Sequence, residues 1–147
     1  MNLSQKCQYA LRACLELGKR YGQGPVPISQ VAKAQAIPQR FLELILAHLK
    51  QTGYVDSRRG ADGGYFLTVP PSSVTVGDVI RFVDGPLDPV KCIGGSEGRT
   101  CPLRGRCAFL GLWERAKDAV TRIYDGTTFQ DLIEEEAAEG HVTDFSI

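Results

Sequence analysis

Three cysteines, Cys92, Cys101 and Cys107, fall within sixteen residues, in the run CIGGSEGRTCPLRGRC. The spacing is C-x8-C-x5-C among glycine, serine and arginine, residues that neither fill a packed core nor alternate as a hairpin would. Thiolates are soft ligands, and an irregular loop leaves each sulfur free to turn toward one ion or cluster. That chemistry is a soft-metal or iron–sulfur site, with three donors in view where a closed site takes four. Cys7 and Cys14 stand one heptad apart on an apolar stripe and read as small buried hydrophobes. Catalytic side chains form no comparable group. His48 and His141 have no neighbours that suggest a triad, and neither a Walker loop nor an HExxH motif occurs, so the chain is not read as an enzyme.

The segments that must carry this loop come in a definite order. Ser4 caps a first helix to about Arg20, with Cys7, Ala10, Leu11, Cys14, Leu17 and Gly18 on one apolar stripe. YGQGPVP breaks it. Ser29 is expected to cap a short helix to about Ala36, with Val31, Ala32 and Ala36 turned inward. After a tight turn, Pro38 opens a second helix to about Gln51, stopped by Gly53, that buries Phe41, Leu42, Ile45 and Leu49. Gln39, Arg40, Glu43, Ala47 and Lys50 are left on its other faces. Two short helices and a tight turn fit a helix-turn-helix, whose second helix enters the major groove. YVDSRRGADGGYFLTV then reads as strand, glycine-rich tip and strand, a wing with Arg58 and Arg59 at its tip. Cations there reach phosphates or the minor groove.

Thr75 and Asp78 form a capping box for a helix over 76–84, with Val76, Val79, Ile80 and Val83 on its apolar face and Gly85-Pro86 as its stop. Past the cysteines, a long helix from about Ala108 to Tyr124 lines up Leu112, Trp113, Ala116, Val120, Ile123 and Tyr124. A domain of this size does not bury such a helix against itself, which predicts a dimerisation helix. Thr128 and Asp131 cap a last helix from Phe129 to about Glu139, with its EEE run solvated, and GHVTDFSI is expected to be loosely ordered. The predicted architecture is mainly α with a small β-hairpin wing. It divides into a winged helix-turn-helix (1–84), a cysteine-rich effector loop (85–107), dimerisation and C-terminal helices (108–139) and a tail (140–147).

A formal net charge of zero conceals a split. Residues 1–69 carry nine Lys and Arg against four Asp and Glu, and the remainder carries eight against thirteen. A basic half beside an acidic one suits a nucleic-acid-facing module joined to something else. No apolar run is long enough to span a membrane. The opening MNLSQKCQYALRA lacks the basic start and apolar core of a signal peptide, and five cysteines are an odd number, which together predict a reducing cytoplasm.

Taken together, MNLSQKCQYALRA, GPVPISQVAKAQAIPQRFLELILAHLK, SRRGADGGYFL, VGDVIRFVDGPLDPV, the three cysteines and TTFQDLIEE resemble the bacterial Rrf-two regulators over about residues 1–136. That family includes iron–sulfur cluster regulators, nitric-oxide sensors and cysteine-metabolism repressors. The resemblance implies a homodimeric winged-helix transcription factor on palindromic double-stranded DNA. It implies a 2Fe–2S or 4Fe–4S cluster on Cys92, Cys101 and Cys107 beside the long helix. It also places Ser29, Gln39, Arg40, Phe41, Glu43, Arg58 and Arg59 at the DNA. Two positions depart from the family's patterns: Leu110 stands where the cluster regulators have a histidine ligand, and Gln8 where the nitric-oxide sensors have an acidic one. Cys7 of a partner, an acidic residue near the loop or a small molecule stay open as fourth ligand. A zinc site, a thiol switch between Cys101 and Cys107, and docking of a partner enzyme stay open as alternatives to a cluster.

Overall fold

The structure is a computed structural model that describes residues 2–94 and 101–145, the last five by their backbone alone. Its first helix, α1 (Gln5–Lys19), is the axis of the molecule. Ser4 caps it, its hydroxyl accepting from the Cys7 N–H at 3.0 Å. Ala10, Ala13, Cys14 and Leu17 are buried along it, and α2, α3, α4, α6 and the wing all lie against it. Small side chains make this crowding feasible. At Gly18 an added Cβ would sit 3.2 Å from both Ile133 and Pro71, so the last helix and the turn after the wing close directly on the α1 backbone.

The helix-turn-helix is α2 (Ile28–Gln35) and α3 (Gln39–Leu49), each entered from a proline, Pro27 and Pro38. Ser29 therefore lies inside the first turn of α2 and does not cap it. Ala36 does not face inward either: it takes the left-handed conformation (φ 52°), which turns its methyl to solvent and directs Ile37 into the core. On α3 the buried face is Leu42, Ile45, Leu46 and Leu49, whereas Phe41, expected inside, is 43% exposed. A 3-10 turn, Lys50–Thr52, carries the chain to Gly53 (φ 84°).

The wing is the antiparallel pair β1 (Val55–Arg58) and β2 (Gly64–Leu67), in register Val55 to Leu67 and Arg58 to Gly64. Val26 and Tyr65 exchange backbone hydrogen bonds at 2.8 and 2.9 Å, which tie β2 to the strand-like entry of α2. Gly64 permits this, since a side chain there would collide with the Val26 carbonyl.

Helix α4 (Val76–Asp84) has the predicted capping box, Thr75 with Asp78, closed in both directions. Helix α5 (Leu110–Asp125) begins two residues later than expected and buries no side chain. Helix α6 is Phe129–Phe145, so the segment from 140 to 145 continues the helix and is not a loose tail, while residues 146–147 lie outside the described residues. Its entry is stitched to that of α4: the Val76 N–H donates to Thr127 and the Phe129 N–H to Val74, at 2.9 and 3.1 Å. Phe129 is among the largest fully buried side chains, which places the start of α6 inside the main core.

One charge is buried with that core. Glu16, 5% exposed, accepts from Gln35 of α2 at 3.0 Å and from Arg20 at 2.9 Å. Burial favours its neutral acid, but hydrogen bonds from Gln35 and Arg20 and the charges of Arg20 and Lys19 outweigh it and hold the carboxyl below its usual range. A carboxyl lowered by folding stabilises the fold only while ionised. Its contribution is therefore complete above the unfolded value of about 4.3 and disappears as pH falls through the lower folded value. Urea unfolding of wild type and Glu16→Gln is expected to show a clear stability deficit for the variant at pH 7 that narrows steadily below pH 4.

Candidate nucleic-acid interface and cysteine loop

The wing, the entry of α2 and the entry of α3 enclose a concave surface of about 610 Å³. It is lined by Ser29, Gln39, Arg58 and Arg59, four of the seven expected DNA contacts, all exposed. Glu43 is exposed elsewhere on α3. Arg40 and Phe41 turn away from the wing. The guanidinium stacks 4.8 Å over the phenyl ring, and Phe41 joins Tyr9, Leu44 and Ile45 along a second, apolar groove. Arg58 leans toward the Phe66 ring at 6.0 Å.

Lys50 and Ser57 also line the concave surface and were not singled out in the sequence. Lys50, one residue past α3, donates to Ser57 of β1 at 2.8 Å and lies 3.8 Å from Asp56, so a third cation joins Arg58 and Arg59 on this surface. The only advance sign was its place on the open face of the predicted helix. The pairing with β1 depends on where the hairpin folds back. Among the described residues no helix is long and apolar enough to cross a membrane.

The cysteines divide by environment. Cys7 and Cys14 are buried in the two packed clusters. Burial, with the negative charge of Asp84 and a hydrogen bond to it, pushes the Cys7 thiol up to about 11. Burial, with Cys7 nearby, pushes Cys14 up to about 12. At 0% and 3% exposure, Cys7 and Cys14 are closed to solvent in this arrangement and serve as packed core thiols. Cys92, Cys101 and Cys107 are all free thiols, Cys92 exposed and the others half-buried. Cys92 sits in a 3-10 turn, Lys91–Ile93. The Cys101 carbonyl accepts from the Arg104 N–H at 3.1 Å, and that of Cys107 from the Leu110 N–H at 3.4 Å. Residues 95–100, the centre of the loop, lie outside the described residues. Among those described, no three His, Cys, Asp or Glu side chains converge as a metal would require. The three thiols fit a soft metal or an iron–sulfur cluster in kind, and among the described residues they do not converge on one point.

A helix-turn-helix fastened to a basic wing, followed by a cysteine loop and a long uncovered helix, matches the model for Rrf2, described as an iron-dependent transcriptional regulator, over residues 3–135. The chain belongs to the Rrf2 family. It is 36% identical over 132 residues to the HTH-type transcriptional regulator CymR of Bacillus subtilis, covering 90% of this chain and 89% of that one. To the regulator IscR of Aliivibrio salmonicida it is 34% identical over 135 residues, covering 90% and 77%. The solved structure of B. subtilis CymR, titled the global cysteine regulator, superposes with a TM-score of 0.75 at 34% identity, over 92% of this chain and 98% of that chain. This Rrf2 chain is thus a DNA-binding transcriptional regulator with a winged-helix fold, and its relatives are regulators and not enzymes.

The contrast among its thiols sets a chemical test. The thiolate is the reactive form, and pKa values near 11 and 12 leave almost none at pH 8. Iodoacetamide at pH 8 followed by peptide mass spectrometry is expected to label Cys92 first, with Cys7 and Cys14 unlabelled until urea unfolds the chain.

Proposed function

We propose that two copies of this Rrf2 chain bind a palindromic double-stranded operator, each inserting the start of α3 into the major groove and the wing tip into the neighbouring minor groove. Ser29, Gln39, Arg40, Phe41 and Glu43 meet the duplex from the helix-turn-helix, and Arg58 and Arg59 from the wing. The observation that carries this reading is the concave surface on which Ser29, Gln39, Arg58 and Arg59 come together. Helix α5 supports the second copy: Leu112 and Ile123 are 45% and 64% exposed, an apolar stripe for another molecule to cover. Arginines on phosphate release counterions, so affinity falls steeply with salt. Fluorescence anisotropy on a duplex selected from a random library is expected to show Arg59→Ala binding every sequence more weakly. The slope of log affinity against log salt should be shallower by about one.

The cysteine loop is the sensing element. Cys92, Cys101 and Cys107 would hold an iron–sulfur cluster, which when bound supplies sensitivity to oxidation, to nitric oxide or to cluster supply. A second reading is favoured by the likeness to CymR, a cysteine regulator. In it the same residues act without a cluster, through zinc, a thiol switch or a partner enzyme. Anaerobic purification with a visible spectrum and iron, sulfide and zinc assays separates the two. Brown protein containing iron and sulfide, colourless as Cys101→Ala, is expected. Colourless wild type that resists reconstitution would leave the second reading.

A further inference from the structure

Helix α5 lies along the winged-helix unit with no fully buried side chain; near its end Tyr124 packs, half-buried, on the cluster of Cys7, Val76, Ile80 and Leu87. Two ion pairs add to that anchor. Near its end, Asp125 receives a two-pronged ion pair from Arg81 of α4, at 2.8 and 2.6 Å. In its middle, Lys117 reaches the Asp88 carboxylate at 2.7 Å. These pairs differ in setting. Arg81 and Asp125 are each 39% exposed, whereas the Asp88 side chain is 12% exposed.

What covers Asp88 is the turn that carries the first loop cysteine. Cys92 is the central residue of the 3-10 turn Lys91–Ile93, which closes on the Gly94 N–H donating to Lys91 at 3.4 Å. Gly94 lies so close to the Asp88 carboxylate that a side chain there would take its place. Asp88 thus has the Cys92 turn on one side and α5 on the other. Its buried Oδ1 faces the Lys117 ammonium without a well-formed hydrogen bond, so charge and cover hold the pair. The attraction of two unit charges weakens several-fold between a protein's surface layer and bulk water, so lifting the turn and admitting water loosens it. A groove of about 290 Å³ between Pro86–Asp88 and Lys117–Thr121 leaves room for α5 to shift.

We propose that Asp88 and Lys117 form a latch through which the conformation of the Cys92 turn sets the angle of α5 against the DNA-binding unit. Ligation, oxidation or alkylation of Cys92 moves the centre of the turn, uncovers Asp88 and frees α5. Because α5 is where a second copy is expected to pack, its angle governs how two recognition helices are spaced. Asp88 and Lys117 are positioning residues that touch neither DNA nor the effector. This inference rests on reading the cysteine loop as the sensing element.

The test uses the full chain as Cys101→Ser/Cys107→Ser, which leaves Cys92 as the accessible thiol, with N-ethylmaleimide as the probe. Modification is expected to change operator affinity at least about five-fold, the lower end of typical coupling between sites. Lys117→Gln and Asp88→Asn should already bind as the modified protein does, with maleimide adding less than two-fold, while Lys117→Arg keeps the response. Linkage requires the converse, that operator DNA alter the labelling rate of Cys92 in the parent but not in Lys117→Gln. Lys117 is 37% exposed, so loss of folding does not excuse that variant. A full response in both charge-removing variants would overturn the latch and leave the sensing loop standing. No response in the parent would overturn both.

Discussion

One helix has to touch nearly every other element, and that constraint governs the architecture. Helix α1 meets α2, α3, α4, α6 and the wing, which is possible only if its sides stay thin. Ala10, Ala13, Cys14 and Gly18 keep them so, and each neighbour approaches the α1 backbone closely enough to exclude water. Large side chains enter from the surrounding elements: Leu42, Leu46 and Leu49 from α3, Ile80 from α4, Phe129 from α6. Burying each of these contributes about 1.5–3 kcal/mol before entropy is counted. The buried Glu16 adds direction, since its two hydrogen-bond partners lie at set positions on α1 and α2.

The DNA-facing half inherits this rigidity. Helix α3 is held by four buried side chains, and the wing is fastened twice, through the Val26–Tyr65 backbone pair and through Lys50 to Ser57. Side chains that meet a duplex thus project from fixed elements, which suits recognition, where misplacement of a donor loses a base contact. The effector half is built on the opposite principle. Helix α5 has no fully buried side chain and is joined to the rest by Tyr124 on the smaller cluster, two ion pairs and the backbone bonds at its exit. Ion pairs weaken when salt or water screens them, whereas packed apolar contacts are insensitive to such screening. A regulator needs both kinds of joint.

Local signals in the sequence read true wherever the physics was local. The two Thr-to-Asp boxes, at Thr75 and Thr128, form as expected because their partners stand three residues apart. The hairpin, the break after α1 and the stripe of α1 likewise follow from glycine, proline and spacing. Misreadings fell where a neighbour far along the chain decided. Phe41 and Leu46 are equally apolar, yet Leu46 is buried in the main core while Phe41 lies 43% exposed along the groove it shares with Tyr9. Ser29 lost the capping position to Pro27 because the entry of α2 is pulled into register with Tyr65.

By itself the sequence determined the order of helices and strands, the family, the basic wing and the presence of three thiols outside any core. Periodicity, caps and composition are properties of neighbouring residues and need no fold to be read. Tertiary structure alone decided which expected DNA contacts share one surface, that Lys50 joins them, that Cys7 is sealed away, and that Phe129 is core. It alone set Asp88 between the Cys92 turn and α5. These depend on distances between residues tens of positions apart, which arise only when burial of apolar surface brings the helices around α1.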